Sequence, residues 1–427
     1  MVRHQSIPGA GTADLPVWLF VSYGGGHVKA LLPVALRVRE LGIARPVYLA
    51  LTTAAAQVRN SGLSTLGFLD FLRPDDARAR AKGEELVAQM AIPAVDHQES
   101  VAYLGLSYAE MEDRLGQDVA AERWLQYGRQ ALLPFGVLQR ILIACRPALV
   151  IATNSPRAEQ AAIEVAGALG VPSACLVDLL GIWERDLLAR PDYASALCVL
   201  NEDVRGSLLA AGRAAAEVHV TGNPAFDGVN DPAVIAAGKR YREQLGWGGL
   251  HVCMYASSPE PVRIPGLAGT GDPTFPRRVE EYLVRAAQDN PALALWIRRH
   301  PSEAGTVDAQ RACHPRIRES LQHMPLHACL HGSDEVIVTV STVGVEASLA
   351  GKPVTQVRGS ILDPLSPYLA MGVASREVNL DQLGVLYRSS SPQIGRVAAS
   401  CTLVAPGNAT GRVVNVLLAL QERNRAP

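Results

Sequence analysis

Short runs of β-branched and aliphatic residues alternate along this chain with longer Ala-, Leu- and Arg-rich stretches whose apolar positions recur at helical spacing. In the first half the runs 17–22 (VWLFVS), 47–52, 148–153, 173–178, 196–201 and 217–222 are rich in β-branched or apolar residues and read as buried strands. The second half restarts the pattern with 251–257, 292–298, 327–332, 335–341 and 353–359, and a helix near 410–423 closes the chain. Strands alternating with helices predict parallel sheets, hence an α/β protein with two Rossmann-like halves.

Two stretches break the rhythm. Residues 76–145 are rich in Glu, Arg, Ala and Gln at helical spacing and read as a helical insertion where an acceptor is met. From Gly222 to Gly249 come GNP, a second Asp-Pro, a polar helix and GWGG, the punctuation of a domain boundary. The expected division is a tail at 1–16, a first domain at 17–228, a linker at 229–249 and a second domain at 250–427 that includes the terminal helix.

Composition narrows the function. At 427 residues the chain is too long for one ordinary core and suits two domains. Lys plus Arg (40) nearly cancels Asp plus Glu (41), so no basic field attracts nucleic acid. The hydrophobic fraction is 48%, yet charge or Gly/Pro interrupts every apolar run before the roughly 20 residues of a membrane span. The first residues lack the apolar stretch of a secretory signal. Seven cysteines form no CxxC pair and sit in apolar contexts, as expected of reduced thiols in the cytoplasm. A peripheral place at the inner face of the membrane stays open.

Four segments carry candidate chemistry, each at the end of a predicted strand. In SYGGGHVKALLPV the glycines Gly24, Gly25 and Gly26 allow a tight turn and close backbone approach, and His27 enters the following helix at the edge where open α/β sheets bind ligands. A plain βα turn with His27 as a cap explains the same residues, and GxGxxG is absent, so a nicotinamide cofactor gains no support. In TVSTVGVEASLAGKPV, Ser341, Thr342 and the helix start with Gly344 suit a pyrophosphate, while Glu346 can take ribose hydroxyls; a capped helix with a solvated Glu is the alternative. In WIRRHPSE a strand delivers Arg299 and His300 toward phosphate, with Pro301 ending it, although paired arginines at a strand end are usually solvated. In MYASSPEP, Ser257 and Ser258 leave room for a ligand and offer hydroxyls.

With these segments in hand the chain resembles the GT-B glycosyltransferase superfamily, including the enzyme that adds N-acetylglucosamine to peptidoglycan precursors. The resemblance rests on Gly24-Gly25-Gly26-His27, on TGNP at 221–224 and on STVGVEASLAGKPV; residues 76–145 fall outside it. It implies two Rossmann-like domains facing each other across a cleft, and a sugar moved from a nucleotide donor, UDP- or CMP-linked, to a glycan, lipid-linked or protein acceptor. By the same resemblance Ser341, Thr342 and Gly344 contact the diphosphate, Glu346 the ribose, and Arg299 with His300 a phosphate. His27 is then a base or a phosphate ligand. Asp178, at the end of another strand of the first sheet with Glu184 close behind, is the second candidate for the base. No Asp-x-Asp triplet occurs, so metal-independent transfer without a further cofactor is expected.

Two other readings stand beside this one. UDP-N-acetylglucosamine 2-epimerases have a similar domain junction and a helix-borne Glu, but carry a DSGG-like segment where this chain has VSTVG. A catalytically idle GT-B-like subunit of a polysaccharide complex has the same outline.

Overall fold

Thirteen strands among the described residues pair in parallel and form two separate sheets. The computed structural model describes residues 15–90, 95–264, 267–300, 303, 314–319, 324–387 and 407–424. Pro301 and residues 1–14 of the expected tail lie outside them. The chain forms two units, one of residues 1–200, 204–225 and 409–427 and one of residues 201–203 and 226–408.

The first unit holds β1 (Val17–Ser22), β2 (Arg45–Ala50), β3 (Ser64–Leu66), β4 (Leu149–Thr153), β5 (Ser173–Leu176), β6 (Ala196–Val199) and β7 (Val218–Val220). Their order across the sheet is β3-β2-β1-β4-β5-β6-β7. The second unit holds β8 (His251–Ala256), β9 (Leu293–Arg298), β10 (Ile317–Glu319), β11 (Glu335–Val338), β12 (Val354–Val357) and β13 (Arg376–Val378), in the order β10-β9-β8-β11-β12-β13. Strand order reverses between β1 and β4 in one sheet and between β8 and β11 in the other. Those are the switch points beside whose carboxyl ends doubly wound sheets bind ligands. β3, β10 and β13 are three residues each, too short to show as a periodic run.

Buried aliphatic runs make the cores. Trp18, Phe20 and Ile151 on the first sheet pack with Val28, Leu31 and Val34 of the helix Gly26–Glu40. The same cluster takes in Val413, Val414 and Leu417 of the helix Ala409–Arg423, and the buried Trp18 Nε1 donates to Gln421 Oε1 at 2.6 Å. The terminal helix therefore belongs to the first unit, correcting its expected place in the second. Periodicity reveals an apolar stripe but not the surface that covers it.

Two further expectations give way. The stretch 229–249, expected as a linker, contains the helix Pro232–Gln244, which packs within the second unit against another helix, Leu326–Gly332. That second helix replaces the strand expected at 327–332. Its approach is close because both partners have glycines at the crossing: a Cβ on Gly238 would stand 2.4 Å from the Ala328 carbonyl oxygen, and one on Gly332 would stand 2.8 Å from the Trp296 ring. A six-residue apolar run fits either a buried strand or a buried helix, and this packing selects the helix. Residues 77–145 carry the helices Ala77–Ala88, His97–Leu115, Gln117–Tyr127 and Phe135–Cys145. Among the described residues no helix is long and apolar enough to cross a membrane.

Candidate functional site

The first sheet's switch point is built by the glycine turn. A Cβ on Gly24 would lie 1.8 Å from Thr53 Oγ1, and Gly25 has φ +70°, so neither position accepts another residue without strain. The turn starts the helix Gly26–Glu40 directly over the end of β4, and the His27 side chain lands on that strand's last residue. Nδ1 of His27 lies 2.6 Å from Thr153 Oγ1, and that hydroxyl donates to Glu159 Oε2 at 2.5 Å. Glu159 is fully buried in the helix Ala158–Ala168 and also accepts from the amides of Tyr23 at 2.8 Å and Ser155 at 2.9 Å.

Directions follow from the proton count. A threonine hydroxyl has one proton, and here it goes to the carboxylate; the oxygen must therefore accept from Nδ1–H of the imidazole. In the neutral ring Nε2 is then the bare nitrogen, able to take a proton from a substrate hydroxyl. The His27 side chain is 24% exposed, enough to meet a solute.

Asp178 joins the same edge. Its Oδ2 stands 3.3 Å from where a Cβ on Gly26 would be, and its amide donates to Asn154 Oδ1 at 2.7 Å. Leu179 beside it has φ +49°, and Thr52 after β2 has φ +52°. Left-handed backbone costs a non-glycine residue roughly 1–2 kcal/mol, a strain that gathers at functional edges. Burial pushes the Glu184 carboxyl above the usual range, and the nearby Asp178 charge adds to the shift. A small recess, open to solvent, lies beside Thr52, walled by Leu51, Glu99, Tyr103, Leu104 and Arg129. The Tyr103 hydroxyl is 2.7 Å from that of Tyr23, whose ring carries the Arg157 guanidinium at 3.9 Å.

Gly24, Gly25, Gly26, His27 and Asp178 thus come together as the sequence suggests, while Thr153 and Glu159 escaped it. TNSPRAE at 153–159 does repeat the pattern of hydroxyls at a strand end and a Glu in the next helix that marks STVGVE at 341–346, but nothing in that local pattern joins it to His27.

On the second sheet the candidates divide. Ser257 is buried and donates to Glu303 Oε1 at 3.0 Å, Ser258 is half-buried, and His300 is exposed with its amide on Glu303 Oε2. Arg299 differs from expectation. Its guanidinium is held by Glu280 at 2.8 Å and Glu319 at 3.1 Å, two carboxylates that offset its charge and engage part of its donor set.

Thr342 is exposed at the start of the helix Val343–Leu349, with Ser341 beneath it. Gly344 is buried and its N–H donates to the Ser341 carbonyl at 3.0 Å, so that amide is spent inside the turn. A Cβ there would meet the Tyr368 ring and Val338 Cγ2, each at 3.2 Å, so the close packing of this turn also favours glycine. Glu346 pairs with His327 Nε2 at 2.6 Å, its side chain 14% exposed. His327 was missed because its segment read as a strand.

Comparison with known proteins bears on the fold. Residues 271–360 match the model of a family described as capsule polysaccharide biosynthesis protein, well under half of the chain. No curated protein matches. Among solved structures, a Listeria monocytogenes protein assigned as a UDP-N-acetylglucosamine 2-epimerase aligns at TM-score 0.58 and 15% identity, over 96% of this chain and 98% of its own. The UDP-GlcNAc 2-epimerase of Neisseria meningitidis, bound to UDP-GlcNAc, aligns at 0.57 and 13% identity over 94% and 100%. The glycotransferase of kitacinnamycin aligns at 0.54 and 13% identity over 96% and 100%. At such identities the likeness shows the fold: two Rossmann-like domains of GT-B type.

Proposed function

We propose that this chain moves a sugar from a nucleotide-activated donor to an acceptor hydroxyl, with Nε2 of His27 as the general base. The observation that carries the proposal is the chain Glu159–Thr153–His27, which assigns the imidazole proton to Nδ1 and leaves Nε2 bare. The Glu159 carboxylate, reached through the hydroxyl, favours the imidazolium that forms when the acceptor loses its proton. Asp178 is the alternative base. Ser258, His300, Ser341 and Thr342 on the second sheet's edge are the proposed groups for the donor phosphates, with Glu346 for the ribose. The donor is a nucleotide sugar, UDP- or CMP-linked, as the UDP-GlcNAc bound to the Neisseria protein supports. The recess beside Thr52, with its apolar walls and Arg129, is the proposed seat of part of the acceptor. The capsule family match supports a product in envelope or capsular polysaccharide; the place of synthesis we infer is the cytoplasm.

His27→Ala should slow nucleotide release by roughly a hundredfold to ten-thousandfold, the usual worth of a positioned base, while nucleotide affinity stays within twofold. Unchanged turnover with an unchanged pH profile would sink the assignment. Added manganese should not raise the rate. The whole-length likeness to 2-epimerases keeps a second reading; a product that retains its nucleotide and is inverted at C2 of the sugar, seen by NMR, would establish epimerisation instead.

A further inference from the structure

At the amino-terminal edge of the second sheet, opposite the edge described above, three metal-ligating side chains meet under the core. His251 and Cys253 are two residues apart on β8 and so share a face, and Glu335 on β11 stands in register with Cys253. One ligand atom from each of the three lies within 4.8 Å of the other two. Cys253 is fully buried, Glu335 is 1% exposed, and the His251 side chain is 16% exposed.

The bonding of these groups is incomplete. Nε2 of His251 faces Oε2 of Glu335 at 3.6 Å, beyond hydrogen-bond reach, and neither buried atom has another partner among the described residues. The rest of the carboxylate is satisfied: Oε1 takes bonds from Arg376 and from the Thr355 hydroxyl. On the far side of the imidazole, Nδ1 faces Asp334 Oδ2 at 3.7 Å. The two unmatched buried atoms, Nε2 of His251 and Oε2 of Glu335, face each other beside the Cys253 sulfur. Buried polar atoms left unmatched destabilise a fold, so such a pair calls for something between them.

We propose that His251 Nε2, Cys253 Sγ and Glu335 Oε2 bind a zinc ion. An imidazole, a thiolate and a carboxylate suit zinc in tetrahedral geometry, with water in the fourth position along the exposed edge of His251. Binding replaces the S–H bond of Cys253 by a sulfur–zinc bond and releases one proton to solvent. Asp334 lies behind the imidazole, on the side where carboxylates stand behind zinc-bound histidines. Burial pushes the Cys253 thiol up, so without metal it stays protonated. The ion would tie β8 to β11 from beneath the switch point and has no part in sugar transfer.

The test uses the full chain, stripped with a chelator and titrated with cobalt(II). Wild type should take up one equivalent with tetrahedral visible bands and a thiolate-to-cobalt charge-transfer band in the near ultraviolet, all lost when zinc is added, while magnesium competes with neither. Cys253→Ser should lose the charge-transfer band, whereas Cys329→Ser keeps it. Because a core substitution risks the fold, His251→Gln provides a second reading: zinc should raise the melting temperature of wild type and leave that of the variant unmoved. No saturable cobalt band in wild type, a charge-transfer band that survives Cys253→Ser, or an equal zinc shift in His251→Gln overturns the proposal.

Discussion

Glu159 and His27 are coupled without touching: Nδ1 of the imidazole stands 3.7 Å from Oε2 of the carboxylate, and the Thr153 hydroxyl occupies the gap. The hydroxyl passes on orientation, and the carboxylate behind it favours the imidazolium. The hydroxyl's single proton makes the carboxylate's demand for a donor into the imidazole's choice of tautomer.

Thr153→Val keeps the shape and removes that link. Turnover should fall by roughly tenfold to a hundredfold, with nucleotide affinity unchanged, while Thr153→Ser restores most of the rate. Steady-state nucleotide release across pH for both variants is the measurement. Equal losses in Ser and Val would make Thr153 a packing residue only.

Glu346→Gln separates ribose binding from helix support. If the carboxylate accepts from ribose hydroxyls, nucleotide affinity should weaken by roughly 1.5–3 kcal/mol, the range for charge-assisted bonds. The lost bond to His327 should cost stability about 1 kcal/mol or less, since the pair is partly exposed. Calorimetric titration of nucleotide decides it; equal dissociation constants remove Glu346 from the site.

Glu184 predicts a pH dependence. Its folded-state value is raised by burial and by Asp178, so between the ordinary carboxylate value and the raised one the folded chain holds more protons than the unfolded one. Stability should fall as pH climbs through that window and level off above it. Glu184→Gln should flatten this slope in melting curves recorded from acid to neutral pH; an unchanged slope would assign it to other groups.

Gln421→Leu tests where the terminal helix belongs. The Trp18 indole N–H is buried and would lose its acceptor, a loss of about 1–3 kcal/mol in chemical denaturation. Nucleotide affinity should not move. A neutral effect on stability would mean that the helix contributes little to this core.

The strand-forming runs were readable because a strand buried on both faces has to be apolar at nearly every position, and such runs flank β1, β4, β8 and β11 in the sequence as in the structure. The glycines at 24–26 and His27 were readable for a related local reason: a turn that must pass Thr53 at van der Waals distance and adopt φ +70° admits no side chain, and that need shows as glycine. Relations between distant segments left no such mark. Residue 159 reads as any helix Glu until β1 and β4 are paired, which brings the Tyr23 amide and the His27 ring onto it across more than a hundred residues. Arg299 reads as a phosphate ligand until Glu280 and Glu319 are found on either side of it. Helix or strand at 327–332, and the home of the helix Ala409–Arg423, turned on which surface remained to be covered. Hydrophobicity states that a face must be buried; only the packed structure chooses its partner, because burial has no direction and hydrogen bonds and ion pairs do.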